Sequence, residues 1–244
     1  MSILKQYLKL SVGLAALSII GTSSFAVAGD TNPSKKDNKK IEKVDPANFQ
    51  STVDNPYFPL VPGTTYKYVE AIGKDTSENE VTVTNDTKTI LGVPCVVVHD
   101  VVKEKGTIKE ETFDWYAQDK LGNVWYFGED TKEFKRKGKV ITKGSWEAGV
   151  KGAQQGIIMK GQPAVGEPYR QEYYKSEAED MGQIVGVNDS TVVPYGKFTG
   201  CVKTKDYSML EPGHEFKWYA KGVGNVRTES TTGEVSVLVS MTRP

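Results

Sequence analysis

Two imidazoles, His99 and His214, and two thiols, Cys95 and Cys201, are the groups in this 244-residue chain best suited to nucleophilic or general-base chemistry. Such chemistry needs a nucleophile or base held by partners. In an extended strand Cys95, Val97 and His99 share one face, yet residues four apart lie about 13 Å apart along the strand, too far for a Cys–His pair. His99 therefore reads as a structural histidine and His214, after Pro212-Gly213, as a turn residue. The sequence holds no G-x-S-x-G elbow, no Gly-rich phosphate loop with its lysine and no C-x-x-C. Glu129 and Asp130, or Glu177, Glu179 and Asp180, offer oxygen ligands, but without the alternating Asp pattern of a calcium loop. No spacing gathers the His and Cys residues around zinc. These acids are expected in solvated turns, and no catalytic residue, metal or cofactor is assigned.

Aromatic side chains are the larger resource. Tyr66, Tyr68, Tyr116, Trp125, Tyr126, Phe127, Tyr169, Tyr173, Tyr174 and Tyr219 recur in strand-like runs. A curved sheet that carries them must fill, cover or occupy its concave face. Either they pack as core, or part of the face contacts a ligand. The candidates for contact are Tyr66, Tyr68, Trp146 and Tyr169, with Arg170 and Glu172 as polar neighbours that orient a head group. The partner such a face takes is an apolar small molecule or lipid.

The elements that must position these residues are legible from periodicity. Runs such as TTYKYVEAI, EVTVTNDTKTI, VPCVVVHDVV and KEETFDWYAQD are rich in Val, Ile, Thr and aromatics and separated by Gly, Asn, Asp and Pro, whereas helical periodicity is nearly absent. The chain also matches itself. Tyr66, Asn85-Asp86 and Trp115-Tyr116-Ala117 align with Tyr169, Asn188-Asp189 and Trp218-Tyr219-Ala220 at an offset of 103 residues, and Cys95 and Asp100 align with Cys201 and Asp206 at 106. The expected fold is mostly β: two related antiparallel meanders, residues 55–143 and 163–244, forming a strongly curved sheet, half-barrel or barrel. In each unit the Phe113/Trp115 or Phe216/Trp218 face is expected as core, with Tyr116 and Tyr219 opposite. Residues 144–162 form a Gly-rich connection carrying Trp146, either packed over a core edge or hinged as a lid. Cys95 and Cys201, at equivalent positions, are either disulfide-bonded or separately buried.

Before these units the sequence carries an address. Lys5 and Lys9 precede an uncharged stretch from Leu10 to Val27, and Ala26 and Ala28 satisfy the small-residue rule, so residues 1–28 read as a signal peptide cleaved before Gly29. Gly29 stands where a lipid-anchored protein would have Cys. Residues 29–54, polar and lysine-rich, read as a flexible leader. The expectation is an exported protein, periplasmic or secreted, with no stable membrane span after processing. Thirty-one basic residues balance 31 acidic ones, which removes the basic excess that nucleic-acid binding requires.

At NPYFPLVPGTTYKY, TFDWYAQDKLGNVWYFGEDTKEF, GSWEAGVKGAQQGIIM, YRQEYYKSEAEDMG, VPYGKFTGCVKTKD and EFKWYAKGVGNV the chain resembles a family of exported bacterial β proteins with no established activity. More loosely it is similar to half-barrel envelope proteins, a group that includes carriers of apolar ligands such as lipids. The resemblance implies a β fold and supplies no catalytic residue. The function expected is exported, non-enzymatic binding of an apolar or aromatic envelope ligand in a curved sheet. The alternatives are a structural or protein-interaction module of the cell envelope, and a hydrolase whose site the sequence hides.

Overall fold

β-branched and aromatic residues alternating with polar ones favour a half-buried pleated surface, and tight turns fold such runs into hairpins. In the computed structural model, which describes residues 44–244, this happens repeatedly. The strands are β1 (Phe49–Gln50), β2 (Thr65–Ile72), β3 (Asp75–Ile90), β4 (Val93–Glu104), β5 (Thr107–Asp119), β6 (Val124–Phe134), β7 (Val140–Ile141) and β8 (Trp146–Glu147). They continue as β9 (Gln154–Met159), β10 (Tyr169–Arg170), β11 (Glu172–Tyr173), β12 (Asp180–Val193), β13 (Gly196–Ser208), β14 (Glu215–Ala220), β15 (Gly224–Ser230) and β16 (Glu234–Thr242). Two hairpins use two-residue loops with positive φ at both positions, Leu91-Gly92 and Lys105-Gly106, which suits the twist of the flanking strands.

All sixteen strands join one antiparallel sheet. β2 to β6 run as a meander, β12 to β16 as another, and β16 pairs with β2 to join them. At the far ends, β10 pairs with β12 while β11 pairs with β9, which lies on β6. Only Gln171 separates β10 from β11, so the five residues 169–173 touch both ends of the sheet and draw it into a nearly closed barrel with one unsealed seam. Gly156 permits this closure: a Cβ there would sit 2.4 Å from the carbonyl carbon of Gln171 and 2.6 Å from the carbonyl oxygen of Arg170.

Residues matched by the offsets of 103 and 106 have these ladder partners. Val97 pairs with Trp115 and Val98 with Asp114, as Lys203 pairs with Trp218 and Thr204 with Lys217. A bulge follows Trp115 on the β6 side and another follows Trp218 on the β15 side.

Two expectations change at this level. Tyr116 and Tyr219, each 2% exposed, point into the barrel, whereas Trp115 and Trp218 lie on the outer face. There they are buried beneath the ammonium groups of Lys88, 3.3 Å from one ring centroid, and Lys203, 4.4 Å from the other. Phe113 and Phe216 are only half-buried, because closing the sheet makes the tyrosine face concave. Of the two readings of the connection 144–162, the structure has the packed one: its β8 and β9 pair with β6, and Trp146 is 4% exposed, edge-on to Tyr126 at 5.3 Å. The end of the leader is ordered as well. Asp45 caps a 3-10 turn at Pro46–Asn48, and Phe49 packs on Phe127 at 5.5 Å. The signal peptide and residues 29–43 lie outside the described residues.

The next segment covers one end. Asn55 and Asp54 both donate backbone N–H groups to the Gln118 side chain, at 2.8 and 2.9 Å. This sets Phe58 between Tyr116 and Tyr219, with ring centroids 5.3 and 6.2 Å away. Phe58 is half-buried here, so it contributes less than the roughly 2 kcal/mol of a fully buried ring. The Phe-Pro-Leu motif thus packs over the tyrosine end of the barrel. Among the described residues no helix is long and apolar enough to cross a membrane.

Candidate functional site

Alternation along each strand decides what the barrel encloses. On β5 the inward positions are Thr112, Asp114 and Tyr116; on β14 they are Glu215, Lys217 and Tyr219. Both series run from an acidic zone near the β4–β5 turn to a tyrosine zone beneath Phe58. In the tyrosine zone, Tyr66 donates to the Pro59 carbonyl at 3.4 Å, Tyr68 to the Asn225 carbonyl at 3.0 Å, and Tyr116 stacks on Tyr126 at 4.9 Å. Burial pushes the hydroxyls of Tyr68, Tyr116 and Tyr126 well above the usual phenol range, with neighbouring carboxylates adding to the effect.

The acidic zone is the feature that sequence reasoning missed. Asp114 and Glu129 are direct cross-strand partners on β5 and β6, 2% and 6% exposed. Tyr126 donates to Asp114 at 2.6 Å, yet burial still pushes this carboxyl up to about 7. Burial, then the charges of Asp114 and Glu172, hold Glu129 well above the carboxylate range. Asp100 on β4 is raised by burial and by Asp114 and Glu70. Glu70 itself accepts from Ser77 at 3.0 Å, and burial outweighs that bond.

Glu172 enters from the closing segment. It is 2% exposed, and neither carboxylate oxygen has a partner at hydrogen-bonding geometry. Burial and Asp180 hold its proton; the Trp146 indole N–H and, more weakly, Lys217 work against them. Asp180 on β12 is pushed by burial to about 7.

Across the barrel the arrangement differs. Asp206 and Glu215 are cross-strand partners like the acids of β5 and β6, but Lys217 lies between them, 3.3 Å from one and 2.7 Å from the other. Burial opposes the lysine's charge, and the two carboxylates outweigh it and hold the ammonium above its ordinary range. Tyr169, whose ring carries the Lys160 ammonium at 4.6 Å, feels the charges of Asp206 and Lys217.

Of the candidates named from sequence, Tyr66 and Tyr68 lie in the tyrosine zone, Trp146 and Glu172 lie beside one another, and Tyr169, whose hydroxyl makes no hydrogen bond, only feels the charges of the Asp206–Lys217 pair. Arg170 stacks on Tyr173 at 4.6 Å; the cation that eases Glu172 is Lys217. Glu129 is a buried interior group and Asp180 a half-buried one on β12, not members of solvated turns. The clue to them was present in the alternation: Thr112-x-Asp114-x-Tyr116 puts an acid on the same face as an inward tyrosine.

The chemistry-bearing residues considered first lie elsewhere. His99 stacks on Phe113 at 4.4 Å and meets Glu111 at 3.0 Å on the outer face, about 30% exposed, so it does not join the interior acids. His214 lies in the turn before β14, edge-on to Phe216. Cys95 and Cys201 are separately buried free thiols on β4 and β13, with five strands between them in the sheet order through β16 and β2, and the disulfide is not formed. Burial raises the Cys95 thiol to about 12, which leaves it a small apolar group. Among the described residues no group of three or more His, Cys, Asp or Glu is arranged to hold a metal ion.

No family model and no curated protein matches the chain. Among solved structures it is similar to the crystal structure of a "putative lipoprotein" from Parabacteroides distasonis, at 14% identity and a TM-score of 0.43, over 79% of this chain and 100% of that one.

Proposed function

We propose that this is an exported, non-enzymatic envelope protein, built from two related β units, that holds a small ligand inside its barrel. The signal-peptide pattern of residues 1–28 supports export. The interior supports the rest: inward tyrosines offer flat amphipathic surface at one end, and carboxyl groups lie beyond them. A ligand with an apolar or aromatic body and a polar head group matches both zones.

The observation that carries the reading is Glu172. A buried carboxyl group without a hydrogen-bond partner costs about 1–3 kcal/mol or more. Glu172 is buried on the segment that closes the barrel with the Trp146 indole N–H as its one nearby donor and no bond at good geometry, which is where a head group would supply a further partner. Binding sites commonly combine apolar lining with a few convergent polar groups of this kind. The position of His99 counts against the hydrolase alternative, because its imidazole is on the opposite face from the interior carboxyls.

Titration with the neutral fluorophore phenylnaphthylamine tests the reading. Saturable binding to wild type is expected, weakened when Tyr68 and Tyr116 are both changed to Ser in protein that remains folded. Non-saturable binding, or binding that this double variant leaves intact, favours the structural-module alternative.

A further inference from the structure

The two halves of the interior are built on the same ladder register but differ in charge. In the second half, Asp206 and Glu215 hold the ammonium of Lys217, which pairs across the ladder with Thr204. In the first half, the residue at Lys217's place is Asp114, paired with Val98. The strong perturbing charges on Asp100, Asp114 and Glu129 are all acidic, from one another and from Glu70, Glu110, Glu172 and Asp180. Carboxyl groups thus gather in this half with the ammonium missing, and Glu172, 2% exposed, brings two unpartnered oxygens to the gathering.

We infer that the ligand carries a protonated primary amine, seated against Asp114, Glu129 and Glu172 in the position that Lys217 occupies in the other half. The inference rests on the reading that the interior binds a ligand and adds the chemical class of its head group. An ammonium donates three hydrogen bonds, and bonds of this charge-assisted kind are roughly twice as strong as neutral ones. Because burial pushes these carboxyls up, Asp114 to about 7, an arriving ammonium favours their ionised form and displaces protons by linkage.

Calorimetric titration at pH 7 with octylamine and with octanol, in two buffers of different ionisation enthalpy, separates the possibilities. Octylamine is expected to bind about tenfold more tightly than octanol and to release about one proton per site, while octanol releases none. Glu172→Gln, or Asp114→Asn if the first variant does not fold, should bring octylamine down to the level of octanol. Equal affinities, absence of proton release, or an amine preference that survives these substitutions overturns the amine inference while leaving interior binding in place. Failure of both compounds to bind overturns the interior-binding reading itself.

Discussion

Asp114 shows how a single side chain takes its properties from an enclosure the local sequence does not reveal. Its carboxyl is raised to about 7 by burial, and the 2.6 Å bond from Tyr126 lowers it from a still higher value. Replacing Tyr126 with Phe removes that donor, so the Asp114 pKa should climb further, and the lost bond should cost about 1 kcal/mol of stability. Carbon-detected NMR titration of the Asp114 carboxyl measures this directly; an unchanged or lower pKa would show that the bond does not stabilise the charged form. At this scale the sequence was legible for tyrosines and Trp146, whose size marks them as buried or binding. It was opaque for the acids. Glu129 and Asp180 look like ordinary surface charges because an acid is almost never fully buried without a partner, and what buries them is a sheet that closes through residues far away in sequence.

Among the elements, the closing segment 169–173 is the most consequential. Each of its two short strands pairs with a different end of the sheet, and β9 approaches it so closely that only glycine fits at residue 156. Gly156→Ala should therefore push the segment away and cost about 3 kcal/mol. Equilibrium unfolding in urea checks the cost, and hydrogen exchange at Gln171, whose N–H bonds to the Asp180 carbonyl at 2.9 Å, reports whether the closure itself opened. Unaltered stability and protection would mean that the barrel ends do not depend on this contact. The long strands of both meanders were readable from period-two alternation and from turns such as Lys105-Gly106. The closing strands were not, since two-residue strands carry no period, and the face assignment inverted for a related reason. Alternation says which residues share a face, but only curvature says which face becomes the inside. Trp115 and Trp218 kept their burial by another route, under Lys88 and Lys203.

For the whole molecule, the interior acids make stability depend on pH with a definite sign. Asp114 and Asp180 are raised from 3.8 to about 7, and Glu234 from 4.5 to about 8, so the folded chain holds protons that the unfolded chain releases. Their contribution is fully present below the unfolded values and is lost as pH rises through the folded ones. Unfolding free energy should accordingly fall between about pH 4 and pH 8, by about 1.4 kcal/mol per pH unit for each proton held only by the folded state. Urea midpoints across that range test it, and a midpoint that rises with pH contradicts it. An interior that loses stability by ionising is one that a ligand can stabilise by binding, which ties the electrostatics to the proposed function. Native mass spectrometry of the protein purified from the organism that encodes it tests that function most directly. The predicted result is a fraction carrying one additional small-molecule mass, lost on unfolding and lost when Tyr68 and Tyr116 are both changed to Ser; a single unliganded mass from gently prepared, folded protein would contradict it.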